Sequence, residues 1–256
     1  MITSTSNPQV KNLQQLLKKA KARNEQDVFL AEGIKMYQEA PKEQICKVYI
    51  TKTLYEEKGP DFLCGLEAEV LSDHVYAAVS DTKTPQGILC VLKQYRYRIP
   101  DMMKKENPHL LLLEDLQDPG NLGTIMRTAE GAGVDGIILN RTSVDLYNPK
   151  VIRATMGSVY RMPFLYVDEL SEVLPVLKEK GIHTYAAHLK GKNCYDQEDY
   201  RTGCAFLIGN EGSGLSGKLS RKADTWIRIP MHGKLESLNA AVAASILMYE
   251  VCRQRR

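Results

Sequence analysis

Leu110 to Leu113 form an unbroken apolar run with no polar residue alternating through it. A strand that faces water on one side alternates, so an unbroken run predicts a strand buried on both faces. Comparable runs follow at 136–139, 183–187, 205–208 and 226–230. Helical segments are expected between and after them, over about 121–133, 148–157, 168–180 and 238–252. Buried strands alternating with helices predict an α/β fold, a parallel sheet with helices on both faces. Upstream the pattern differs. Over 9–22, Val10, Leu13, Leu16 and Leu17 fall on one face of a helix and most of the lysines lie off it. Short apolar runs at 28–30, 48–50 and 87–92, with helical stretches between, predict a smaller α/β domain. Residues 95–108 are charged, carry two prolines and show no period, as expected of a linker. The division predicted is a domain over 1–98, a linker over 99–108 and a second domain over 109–256.

Composition changes this picture little, but charge placement adds to it. The 256-residue chain has a formal net charge of only +3. Yet residues 1–23 hold Lys11, Lys18, Lys19, Lys21 and Arg23 with no acid, and the chain ends Arg253-Gln-Arg255-Arg256. Clustered cations suit a polyanion such as nucleic acid, and a solvated helix face accounts for them equally well. No apolar run approaches the roughly 20 residues needed to cross a bilayer. The N-terminus lacks the charged-then-apolar layout of a signal peptide, so a cytoplasmic protein with no membrane partner is expected. Six scattered cysteines without a C-x-x-C, and five dispersed histidines, predict no metal site.

Candidate chemistry gathers in three polar, glycine-bearing loops, each placed at the end of a predicted buried strand. The first runs Asp118-Pro-Gly-Asn-Leu-Gly-Thr-Ile-Met-Arg127, where Gly123 permits close backbone approach and Arg127 lies one helical turn on. That arginine suits a phosphate or oxyanion, or a local acid. The second, Ile208-Gly-Asn-Glu-Gly-Ser-Gly-Leu-Ser-Gly217, contains a G-x-G-x-x-G. In a dinucleotide site those glycines open a long helix, but here some ten residues separate them from the next strand, and Glu211 precedes them. A nucleotide-dependent oxidoreductase is therefore disfavoured. The third loop, Ile229-Pro-Met to Ser237-Leu-Asn239, opens the last helix, where serine and asparagine serve as helix caps or hold a polar ligand.

Taken together, Asn121-x-Gly-x-x-x-Arg127, Ile208-Gly-Asn-Glu-Gly212 and Ile229-Pro-Met with Ser237-Leu-Asn239 resemble the three motifs of the SpoU (TrmH-type) RNA ribose 2′-O-methyltransferases of the SPOUT superfamily. Residues 5 to about 95, with Phe29-Leu-Ala-Glu-Gly33 and Ser80-Asp-Thr-Lys-Thr-Pro-Gln-Gly87, resemble the small ribosomal-protein-like substrate-binding domain of its ribosomal-RNA members. The resemblance implies a deep trefoil knot in the C-terminal domain, which general fold rules would not suggest. It implies S-adenosylmethionine as cofactor, held by Gly209, Ile229 and Leu238 with Asn210 and Met231. It also implies a homodimer through the catalytic domain, with the helix after Asn239 as a contact. Arg127 is then expected to orient the ribose hydroxyl, stabilise the alkoxide and grip the adjacent phosphate, since a guanidinium is a poor base near neutrality. Glu211 would hold Arg127 or the loop, Asn121 and Asn239 would position substrate or each other, and Ser237 would bond to either ligand. Lys18, Lys19, Lys21 and Arg23 are expected to contact RNA, as are Arg96 and Arg98, with Tyr95 and Tyr97 as stacking candidates. The substrate expected is 23S ribosomal RNA. A transfer-RNA methyltransferase and a non-catalytic ribosome-assembly factor are the alternatives.

Overall fold

A computed structural model describes all 256 residues. The first part of the chain runs α1 (Pro8–Lys18), α2 (Ala20–Gln26), β1 (Val28–Glu32), α3 (Ile34–Glu39), β2 (Ile45–Thr51), α4 (Lys52–Lys58), β3 (Ala68–Leu71), α5 (Asp73–Ala77) and β4 (Ile88–Lys93). It continues with β5 (His109–Leu113), α6 (Pro119–Gly131), β6 (Gly136–Asn140), α7 (Pro149–Thr155), β7 (Phe164–Val167), α8 (Val173–Glu179) and β8 (His183–Ala187). The last elements are β9 (Asn193–Cys194), β10 (Cys204–Ile208), α9 (Gly217–Ser220), β11 (Thr225–Arg228) and α10 (Ala240–Gln254). By contacts the chain forms two compact units, one of residues 1–95 with 145–160, the other of 96–144 with 161–256.

The first unit is built on a four-stranded sheet in the order β1-β4-β2-β3, with only the β2–β3 pair parallel. Val10, Leu13 and Leu16 of α1 are buried, as the helical period predicts, and the Asn7 side chain caps that helix by accepting from Gln9 N–H at 2.8 Å. The single helix expected over 9–22 is in fact two, broken at Lys19, whose backbone is extended (φ −122°, ψ 114°). A helix end leaves carbonyls without intrahelical partners. Here the Arg23 guanidinium supplies donors, reaching Leu16 O at 2.6 Å and Leu17 O at 3.3 Å and pairing with Asp145 at 2.5 Å. Asp145 belongs to a segment of the later chain, 145–160, that is part of this unit. Within it Tyr147 stacks on Phe29 with ring centroids 4.8 Å apart, α7 packs on β1, and Tyr160 donates to Met36 O at 2.9 Å.

The second unit carries a seven-stranded, all-parallel sheet in the order β7-β6-β5-β10-β8-β11-β9. Every residue of β5 and β10 is buried, which is why those segments read as unbroken apolar runs. One core gathers Leu110, Leu112, Ile138, Ala205 and Leu207 under Leu170, Val173, Leu174 and Leu177. α10 packs on β10 and along α6. Two expectations change here. The stretch 99–108 is anchored rather than freely solvated, because Ile99–Met102 forms a 3₁₀ turn and Met102 is fully buried in this core. Strand β7, absent from the sequence reading, completes one edge of the sheet.

Candidate active site

The chain adds strands β6 and β7 on one side of β5, then returns to place β10 directly beside it and β8 beyond. Open α/β sheets bind ligands outside the carboxyl ends of their strands, where the strand order reverses. All three polar loops emerge there. After β5, the Asp118 side chain caps α6 by accepting from Asn121 N–H at 2.8 Å, which fixes Asn121 in the first helical turn. After β10, the Asn210 side-chain oxygen accepts from Gly212 N–H at 2.9 Å and Ser213 N–H at 3.0 Å, while its backbone pairs with Gly214 in both directions. The chain thereby folds back so tightly that a Cβ on Gly209 would lie 2.1 Å from the Gly214 carbonyl carbon; only glycine fits. The G-x-G-x-x-G therefore closes a compact loop followed by the four-residue α9, not the long helix of a dinucleotide site.

Three side chains tie these loops together. Asn239 caps α10, accepting from Ala241 N–H at 2.9 Å and Val242 N–H at 3.3 Å, and its amide donates to Asn121 Oδ1 at 2.9 Å. Asn121 in turn donates to Glu211 Oε1 at 3.0 Å. Glu211 also accepts the backbone N–H groups of Asp118 at 3.0 Å and Gln117 at 3.1 Å. Burial pushes the Glu211 carboxyl up, but the Asn121 and backbone hydrogen bonds outweigh it and hold the group below its ordinary value. As for the two roles expected of Glu211, its hydrogen bonds go to the loop and to Asn121, and none joins it to Arg127. Two further acids at the end of β5 escaped the sequence reading. Asp115 sits in the left-handed region (φ 54°), held by Asn140 at 2.8 Å and by Thr142, and its carbonyl accepts from Asn210 at 2.8 Å. Glu114 accepts both the N–H and the hydroxyl of Ser216 at 2.7 Å. The available signal was an acidic pair directly after a buried strand.

Beside this network lies a cavity of about 270 Å³ at the ends of β8, β10 and β11. All five residues expected to hold the cofactor, Gly209, Asn210, Ile229, Met231 and Leu238, line it, together with Glu211 and Ser237. Ile208, Ile227 and Leu247 supply apolar wall, the glycine loop supplies backbone, and Arg228 and Glu236 bring charge of both signs. That donor set suits a molecule with a flat base, a carboxylate and a cationic centre. Asn121, Asn239 and Arg127 stand outside the lining. Arg127 is exposed on α6 and makes no hydrogen bond or ion pair. Ala187, His188 and Leu189 are lining residues that the motifs did not indicate.

The expected RNA-contacting cations divide. Lys18, Lys19 and Lys21 are exposed, with Lys21 3.7 Å from Glu25. Arg23 is a correction: only 3% exposed, with its guanidinium turned inward to Leu16, Leu17 and Asp145 and its Nε buried, it is not accessible to a phosphate. The aromatic candidates are likewise spent internally. Tyr95 lies against Phe29 and Tyr97 against Phe164, with ring centroids 6.2 and 5.8 Å apart. Arg98 stands 3.7 Å from Asp101, and Arg96 is exposed. No group of three or more His, Cys, Asp or Glu side chains could hold a metal ion, and no helix is long and apolar enough to cross a membrane.

The sequence model of the SpoU rRNA methylase family matches residues 108–249, and that of the MRM3-like substrate-binding domain matches residues 7–90. The chain belongs to the SpoU rRNA methylase family. It is similar, at 35% identity over 98% of both chains, to the 23S rRNA (guanosine(2553)-2′-O)-methyltransferase RlmP of Bacillus subtilis. Among solved structures it resembles an AdoMet-bound rRNA methyltransferase from Sinorhizobium meliloti, with a TM-score of 0.87 and 31% identity, covering 98% of this chain and 97% of that one. The SpoU methyltransferase AviRb of Streptomyces viridochromogenes gives 0.85 at 25% identity, covering 97% and 98%. This SpoU protein is an RNA 2′-O-methyltransferase that uses S-adenosylmethionine. The expectations of family, fold class, activity and cofactor are all met.

Proposed function

We propose that the protein methylates a ribose 2′-hydroxyl in 23S ribosomal RNA, in the cytoplasm, with S-adenosylmethionine held in the cavity lined by Gly209, Ile229 and Leu238. The observation that carries the site assignment is the Asn239–Asn121–Glu211 chain of hydrogen bonds, which ties the cavity's loops to the start of α6, the helix that also carries the exposed Arg127. The substrate assignment is supported by the full-length likeness to an enzyme named for 23S RNA and by the match to a substrate-binding domain. When bound, the cofactor supplies a methyl group on a sulfonium, a good leaving group, so alignment and a reluctant hydroxyl are the remaining obstacles. Arg127 addresses both: its unengaged donors orient the 2′-oxygen, stabilise negative charge developing there and hold the neighbouring phosphate. Glu211, held ionised, keeps the loops after β5 and β10 in register. Asn121 and Asn239 act through that register, and Ser237, an exposed hydroxyl on the cavity wall, is placed to bond to ligand.

The reading includes the division of labour between an RNA-binding domain over 1–98 and a catalytic domain over 109–256, with Lys18, Lys19 and Lys21 contacting phosphate. It also includes the trefoil knot and a homodimer. A dimer contact is supported by the outer face of α10, where Val242 and Tyr249 remain 48% and 49% exposed on either side of half-buried Ile246. The test is transfer of radiolabelled methyl from S-adenosylmethionine to 23S RNA and to transfer RNA, followed by mapping of the marked ribose. Label confined to one 23S ribose is expected. Label on transfer RNA alone, or none on either, overturns the substrate assignment.

A further inference from the structure

One polar side chain in the cavity wall has its geometry set without any ligand. His188 directly follows the end of β8, and its ring stacks on Trp226 with centroids 4.3 Å apart and planes 25° from parallel. Trp226 is itself fixed, its indole N–H donating to Ser220 O at 2.6 Å. His188 Nδ1 accepts the Lys190 N–H at 3.1 Å. A lone pair on Nδ1 puts the proton of the neutral imidazole on Nε2. One ring face and one nitrogen are thus committed to the protein, and a donor without a protein partner is left on a residue that lines the cavity. Arg228 is the only lysine or arginine in the lining, so a ligand carboxylate has a cation to meet there, and the neutral His188 suits a neutral acceptor.

We infer that His188 is a ligand-contacting residue of the cavity, donating its Nε2–H to a nitrogen or oxygen acceptor on the nucleoside half of bound S-adenosylmethionine. The inference rests on the assignment of this cavity to the cofactor. Because Trp226 is the only tryptophan in the chain and carries His188 on its face, its fluorescence reports occupancy of the cavity.

The experiment titrates S-adenosylmethionine, S-adenosylhomocysteine and 5′-methylthioadenosine into the full-length protein, by calorimetry and by Trp226 fluorescence. His188→Phe keeps a ring on the indole but removes the donor; His188→Gln restores a donor near the Nε2 position, and His188→Asn is too short to do so. All three ligands are expected to shift the wild-type fluorescence. His188→Phe and His188→Asn should weaken all three about tenfold, the scale of one lost hydrogen bond, and His188→Gln should stay within about threefold of wild type. Wild-type affinity in His188→Phe and His188→Asn with the fluorescence response intact overturns the role of His188 alone. So does weakening confined to the two ligands that carry the amino-acid moiety. Calorimetric binding with no change in Trp226 fluorescence overturns the cavity assignment and the inference with it.

Discussion

Arg23 and Arg127 both stand on helices in a chain with little net charge, and the two regions that hold them use a guanidinium in opposite ways. At the joint between α1 and α2, Arg23 is buried and donates to two carbonyls and one carboxylate. On the outer face of α6, Arg127 is exposed and donates to nothing in the protein. The first arginine completes a fold. The second leaves its guanidinium exposed and without a partner in the protein. Basic clustering alone placed Arg23 with Lys18, Lys19 and Lys21, and it is the presence or absence of internal partners that separates a structural cation from a functional one.

The comparison is broken most severely by removing the paired arginine. Arg23→Ala leaves the Leu16 and Leu17 carbonyls and Asp145 without their partner, and should cost about 3 kcal/mol of stability by the general cost of breaking such a buried pair. Chemical denaturation checks it. Lys18→Gln with Lys19→Gln, by contrast, should leave stability alone and weaken RNA binding; equal loss of stability in both variants would erase the distinction.

A smaller effect is expected at Asn121. Asn121→Ala strips one hydrogen bond each from Glu211 and Asn239, and should destabilise by about 1–2 kcal/mol. Because the loops after β5, β10 and β11 lose their shared tie, methyl transfer should fall further than stability accounts for, seen as a lower kcat at a temperature where the variant is fully folded. Unchanged kcat would reduce the network to a set of helix caps.

His109 sharpens the contrast with a third case, a buried group kept without charge. Burial first, then the positive charges of Arg255 and Lys105, push its imidazole down to about 3 from an ordinary 6.5, and its Nε2 has no partner. Between those values the unfolded chain binds a proton that the folded one refuses. Stability is therefore complete above about pH 6.5 and declines as pH falls toward 3. Thermal melts from pH 7 to pH 4 should show that decline, and His109→Leu should flatten it. An identical slope in the variant would place the acid sensitivity elsewhere.

Much of this was legible in the sequence, and the remainder was hidden for a physical reason. The runs at 110–113 and 205–208 announced their strands because strands buried on both faces need no polar residues. Strand β7 was missed because Phe164–Val167 is a short, half-buried edge that follows a proline. The loops at 118–127, 208–217 and 229–239 were placed at strand ends by pattern alone, but their joining was not visible. Asn121 meets Asn239 across 118 positions of chain, and Arg23 meets Asp145 across 122. Local periodicity carries no information at such separations, so side-chain pairing, and with it the division between structural and available cations, had to come from the fold. Residues 145–160 make the same point. They follow β6 in the chain and pack instead in the first unit, through Tyr147, Tyr160 and α7.

The central claim is that Arg127 serves the reaction while the cavity separately serves the cofactor. Single-turnover methyl transfer to 23S RNA, measured beside calorimetric binding of S-adenosylmethionine in Arg127→Ala, tests it directly. The account predicts cofactor affinity within about twofold of wild type and a transfer rate lower by about 100-fold or more, the usual scale for losing one charge-stabilising donor. Transfer at the wild-type rate, or a loss traceable entirely to weaker cofactor binding, would contradict it.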